Sequence, residues 1–95
     1  MEMKITKGVE EKVSYEMLGI IANFITQFTQ DELDNEGVVV VVIETKGNYV
    51  ELWTLFGEVQ KRISKQYKTK HGTKDMWVNF CVTEEYNLLC MDYEY

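Results

Sequence analysis

Met76-Trp77-Val78-Asn79-Phe80-Cys81-Val82-Thr83, Glu84-Glu85-Tyr86-Asn87, Leu88-Leu89-Cys90-Met91-Asp92-Tyr93-Glu94-Tyr95 is the stretch that decides the fold. Two alternating runs flank a polar turn, the signature of a β-hairpin. A pairing that sets Val82 opposite Leu89 also sets Phe80 against Met91, Val78 against Tyr93 and Cys81 against Cys90. Because side chains alternate across a strand, Val78, Phe80 and Val82 share a core face. Trp77, Asn79, Cys81, Cys90, Asp92 and Glu94 share the other. That second face mixes tryptophan with carboxylates, as a binding surface does.

Toward the N-terminus the same alternation recurs. Val38 to Glu44 is nearly all valine, a strand by composition. A two-residue turn at Lys46-Gly47 pairs Ile43 with Val50, Val41 with Leu52 and Val39 with Thr54. Tyr49, Glu51 and Trp53 then lie on the opposite face with Val40, Val42 and Glu44. Between the hairpins, Val59, Ile63 and Tyr67 fall at four-residue steps and predict a helix from Glu58 to about Tyr67. Met17, Leu18, Ile21, Phe24, Ile25 and Phe28 predict a longer helix, capped by Ser14 and ending near Gln30 or Leu33. Residues 1–12 are weakly patterned and read as an arm or a partial first turn. Asp31, Glu32, Asp34 and Glu36 follow the long helix as a solvated acidic loop or an acidic knob.

The expected fold class is therefore α+β, in the order α-β-β-α-β-β. A four-stranded antiparallel sheet, its hairpins joined into a meander, carries two helices on one face. The chain has 95 residues, no proline and 45% apolar residues, which fits one domain spanning 1–95. No apolar run approaches the ~20 residues of a membrane span. The first residues form no leader, so a cytoplasmic protein of bacterial or phage type is expected. In that compartment Cys81 and Cys90 are expected as reduced thiols, although they are placed so that they could bond. With His71 alone they make no zinc set, and no metal or cofactor is expected.

Charge is unevenly spread. The chain carries −6, yet Lys61, Arg62, Lys65, Lys68, Lys70 and Lys74 cluster in one segment against Glu58 alone. The remaining surface is strongly acidic, which repels nucleic acid and membranes and attracts basic proteins. The basic segment could still grip phosphate, so a nucleic-acid-binding regulator is one alternative. No phosphate-cradling glycine motif is present, and the single histidine sits in a glycine-bearing loop. The sequence shows no catalytic constellation and argues against an enzyme.

The leading amphipathic helix, the hairpin, the second helix and the closing Trp77-x-x-Phe80-x-Val82 with Asp92-Tyr93-Glu94 resemble the YezG-like immunity proteins. That resemblance implies a small acidic cytosolic antitoxin that neutralises a bacterial nuclease toxin.

The expected function is thus a non-enzymatic inhibitor that occludes a basic effector or nuclease. The partner-binding residues are Tyr49, Glu51, Trp53, Trp77, Asn79, Asp92 and Glu94, with the acidic run Asp31, Glu32, Asp34 and Glu36 as a secondary candidate. Tryptophan and tyrosine supply interface energy, and carboxylates imitate phosphate charge. The alternatives are a phage inhibitor of a host or defence complex, in the manner of an anti-CRISPR, and a homodimer with face-to-face sheets.

Overall fold

The computed structural model describes residues 3–67 and 75–94. The elements in order are β1 (Met3–Ile5), α1 (Lys7–Lys12), α2 (Tyr15–Ile25), α3 (Gln30–Glu36), β2 (Val38–Lys46), β3 (Tyr49–Thr54), β4 (Arg62–Gln66), β5 (Met76–Val82) and β6 (Asn87–Met91). A 3₁₀ turn, Asp92–Glu94, follows β6. The class is α+β, but the sheet has six strands rather than four, in the order β1-β6-β5-β2-β3-β4. It is mixed rather than antiparallel, because β1 runs parallel to β6.

The expected meander is replaced by a sheet centred on the valine strand. β2 pairs antiparallel with both β3 and β5. A strand buried among neighbours on either side tolerates a continuous apolar run, which explains five successive valines.

The weakly patterned N-terminus folds into β1 and α1. Thr6 caps α1 by accepting from the Val9 amide at 3.3 Å. Six residues cannot hold a helix unaided, and α1 is held by its buried Gly8 and Val9. Ser14 caps α2 as expected, accepting from the Met17 amide at 3.1 Å. Met17, Ile21, Phe24 and Ile25 form its buried stripe.

The long helix expected to reach Gln30 or Leu33 is two helices. α2 stops at Ile25, and Phe28 is buried in the connection. Thr29 then starts α3 with a capping box: its hydroxyl accepts from the Glu32 amide at 3.1 Å, and the Glu32 carboxylate accepts from the Thr29 amide at 2.9 Å. Gly37, at φ 72°, ends α3 in a conformation that favours glycine.

The helix expected over 58–67 is instead a loop and the edge strand β4. Leu52 faces Ile63 and Trp53 faces Arg62. A four-residue spacing is shared by the helical and the strand periods, so Val59, Ile63 and Tyr67 do not discriminate. Long-range contacts decide. Glu36 accepts from the Glu58 and Val59 amides at 2.9 and 3.2 Å, and the buried Thr54 hydroxyl accepts from the Lys61 amide at 3.0 Å. Both groups hold the backbone in an open loop that delivers the chain to the edge of β3.

Both hairpins keep the expected loop length but pair two residues out of the expected register. Lys46 faces Tyr49 and Ile43 faces Leu52, so the turn is Gly47-Asn48. Gly47 has φ 60°, as the first central position of a II′ turn requires. In the last hairpin Phe80 faces Leu89 and Val78 faces Met91. The Thr83 hydroxyl accepts from the Tyr86 amide at 3.0 Å, locking a loop over 83–86, one residue nearer the N-terminus than the expected turn over 84–87. A shift of two residues leaves every side chain on its expected face.

The core lies between the three helices and one sheet face. Val9, Met17, Ile21, Phe24, Ile25 and Leu33 meet Val39, Val41, Ile43, Leu52, Val78, Phe80 and Leu89. No helix among the described residues is long and apolar enough to cross a membrane.

Candidate partner-binding face

The other sheet face carries no helix. Its residues are set by register, strand by strand. Arg62, Trp53, Val42 and Trp77 form one row across β4, β3, β2 and β5. Val40, Asn79 and Cys90 form the next row, and Val38, Cys81 and Leu88 a third. The sequence-based division of the sheet into faces therefore holds for Tyr49, Glu51, Trp53, Trp77 and Asn79.

The two tryptophans differ in surroundings. Trp77 is 44% exposed. Trp53 is half-buried, and the Arg62 guanidinium carbon sits 4.8 Å from its ring centroid. The positive charge meets the negative face of the ring there. Tyr49 is exposed at the rim of the face. Asn79 is buried between Val40 and Cys90, so it offers little surface of its own.

Glu44 and Glu51 face each other across β2 and β3, a repulsive pairing if left bare. Lys46 resolves it. Its Nζ lies 2.9 Å from Glu51 and 3.9 Å from Glu44, and Arg62 approaches Glu51 at 3.5 Å. The hydrogen bond from Lys46 holds the Glu51 carboxyl below the usual carboxylate range, and the same bond pushes the Lys46 ammonium up. Glu51 is thus a charge inside a network rather than a free anion.

Asp92 and Glu94 do not extend the strand. They sit in the 3₁₀ turn beyond β6. The Glu94 carboxylate turns back to α1, accepting from the Thr6 hydroxyl at 2.5 Å, the Met91 amide at 2.9 Å and the Gly8 amide at 3.3 Å. The Thr6 bond foremost, with the two amides, holds its carboxyl below the usual range. Glu94 is therefore a clasp between the two ends of the fold, not part of the open face. Asp92 remains exposed beside Trp77.

The acidic run lies in α3, not in a loop, and Asp31 and Glu32 occupy its favourable first turn. Glu32 is spent on the capping box and on Lys61 at 3.9 Å, Glu36 on the β3–β4 loop, and Asp34 on Gln30 at 2.9 Å. Its capping bond holds the Glu32 carboxyl low. Asp31 alone of the four is exposed with no described polar contact. Of the basic segment, Lys61, Arg62 and Lys65 fall on or beside β4. Lys68, Lys70, His71 and Lys74 lie outside the described residues.

Cys81 and Cys90 are free and sit diagonally across β5 and β6, not opposite as expected. Cys81 faces Leu88, and Cys90 faces Asn79. Burial above all pushes the Cys90 thiol up to about 11 and raises that of Cys81. Among the described residues no group of three or more His, Cys, Asp or Glu side chains could hold a metal ion.

The sequence reading missed two features. The Arg62–Trp53 stack depends on β4, which the residue spacing does not reveal, and the Glu94 clasp joins residues too far apart for any local signal. Compared with known proteins, the chain matches no family model, no curated protein and no solved structure.

Proposed function

We propose that the chain is a non-enzymatic, acidic protein-binding inhibitor of the immunity type, which occludes a basic nuclease or effector with the helix-free face of its sheet. The observation that carries this reading is the one-sided packing of the helices. It leaves Tyr49, Trp53 and Trp77 on an open sheet face. Tryptophan and tyrosine are the side chains that most often dominate interface energies. The net charge of −6 favours encounter with a basic partner. The Trp77, Phe80 and Val82 spacing adds the likeness to YezG-like immunity proteins, although Asp92-Tyr93-Glu94 is a turn here rather than a strand.

The test compares wild type with Trp53→Ala and Trp77→Ala chains as affinity baits in the cells that make the protein. A basic protein should be retained by the wild type, with its toxicity neutralised on co-expression. Each substitution should weaken binding by ~2 kcal/mol or more. Equal retention by the double variant removes the sheet face from the mechanism.

A second occupant is another copy of the chain. It is favoured by the half-buried Val38, Val40 and Leu88, which continue the apolar surface across the same face. Sedimentation across a dilution series distinguishes it, since only self-association depends on the concentration of this chain alone.

A further inference from the structure

β4, Arg62-Ile63-Ser64-Lys65-Gln66, is an edge strand, paired along its inner side only. The Lys61 carbonyl accepts from the Thr54 amide at 3.1 Å, and the Tyr67 amide donates to the Asn48 carbonyl at 2.7 Å. Antiparallel pairing alternates, so Lys61, Ile63, Lys65 and Tyr67 turn their backbone groups toward β3. Arg62, Ser64 and Gln66 turn theirs outward, where no described residue meets them. We propose that this edge binds an extended acidic segment of a partner protein, which joins the sheet as a strand antiparallel to β4.

Charge selects the occupant. Lys61 and Arg62 have carboxylate partners within the fold, Glu32 at 3.9 Å and Glu51 at 3.5 Å. Lys65 is exposed and has no ion pair among the described residues. The stretch that follows, Lys68-Thr69-Lys70-His71-Gly72-Thr73-Lys74, contains no acidic residue and can only add positive charge. Lysine at an edge repels basic strands and a second copy of the same edge. An acidic strand meets opposite charge there instead. Reach also leaves the edge open. From Tyr67 to Asp75 the chain takes eight residue steps, at most about 28 Å. A path outside β4 to Ser64 and back across the sheet to β5 takes over ~30 Å, at ~4.8 Å per strand and ~3.4 Å per residue.

The register sets what the segment should carry. On the helix side of the sheet its residues lie opposite Lys65 and Ile63, which favour an acid and an apolar side chain. Ile63 is already partly packed against the core. On the open face its residues lie opposite Gln66, Ser64 and Arg62. Acetyl-Thr-Glu-Thr-Val-Glu-amide meets these positions in order from Gln66 to Arg62.

The measurement is amide NMR of the intact nitrogen-15-labelled chain titrated with this peptide. The Arg62, Ser64 and Gln66 signals should shift saturably, while those of Met3, Lys4 and Ile5, at the opposite edge, stay in place. The central threonine of the peptide would donate its amide to the Ser64 carbonyl. Methylating that amide should weaken binding at least about tenfold, whereas methylating the amide of the valine, turned away from β4, should not. Exchanging both glutamates for lysines should weaken it by a similar factor. Lys65→Glu should narrow that preference. Lys65 lies on the helix side, away from the tryptophans, so it reads the edge apart from the open face. Ser64→Pro removes the central outward amide, spares the bonds to β3 and should abolish binding. No saturable shift by about 10 mM overturns the proposal. So does equal binding of the lysine peptide or of the peptide methylated at its central threonine, or an equal response at β1.

Discussion

The Glu94 carboxylate occupies the space where a β-carbon on Gly8 would stand. A methyl there would lie 2.6 Å from Glu94 Oε1 and 2.7 Å from its carboxyl carbon. Gly8 is in the first turn of α1 and buried, so the helix can approach the last turn of the chain only because this position has no side chain.

Gly8→Ala should therefore destabilise the fold by about 1 kcal/mol, a fall in Tm of roughly 4–8 °C for a domain of this size. In a Glu94→Ala background the same substitution should become neutral or stabilising, since alanine is the better helix former. Thermal melts of the four chains test this as a double-mutant cycle. Additive effects would separate the two residues.

Acid should weaken the fold through the same contact. Glu94, Glu51 and Glu32 all have carboxyls held below the ordinary value of 4.5. In the unfolded chain they take up protons near that value, and in the folded chain only lower. Their contribution is complete above about 4.5 and is lost as pH falls through the depressed folded values. Denaturant melts between pH 7 and pH 3 should show this slope, and Glu94→Gln should flatten it. A Glu94→Gln chain with an unchanged slope would count against the clasp.

Lys46 and Cys90 act at the other end of the scale. Both are raised in the fold, Lys46 above 10.5 and Cys90 from 9.0 to about 11. Their contribution is present below the unfolded values and is lost as pH rises through the folded ones. For Cys90 that window runs from about 9 to about 11. At neutral pH both thiols should react slowly with iodoacetamide, the half-buried Cys81 before the buried Cys90, and rapidly once the chain is unfolded. Mass spectrometry of timed samples reads the order.

Arg62→Gln should loosen Trp53 without unfolding the protein. A guanidinium over a half-buried ring contributes on the order of 1 kcal/mol, and Glu51 would keep its closer partner, Lys46. The expected sign is a small loss of stability with a change in tryptophan fluorescence; a Trp53→Phe chain that shows the same change would reassign it.

Thr29→Ala should cost about 1 kcal/mol by removing the cap that starts α3. The urea midpoint should fall with its slope unchanged, because the surface exposed on unfolding is the same.

What the sequence disclosed follows from which signals are local. The two faces of β2, β3, β5 and β6 were legible because alternation survives a register shift of two residues. The register itself was not legible, since Gly47-Asn48 and the Thr83–Tyr86 hydrogen bonds choose it. α2 was legible from its stripe, while its end at Ile25 depended on the Thr29 capping box overriding continued periodicity. β4 was misread because Ile63 and Tyr67 fit either period, and only the edge of β3 decides between them. Of the candidate site, Tyr49, Trp53 and Trp77 lay on the open face as expected. Glu94 did not, because its partners Thr6 and Gly8 come from the opposite end of the chain.

The parallel pairing of β1 with β6 sets the timetable of biosynthesis. Met3, Lys4 and Ile5 find their partners at Asn87, Leu88 and Leu89. A nascent chain emerging from the ribosome therefore holds β1 in waiting until β6 has been made. Closing so large a loop is slow, so maturation is expected to finish after translation has passed residue 94.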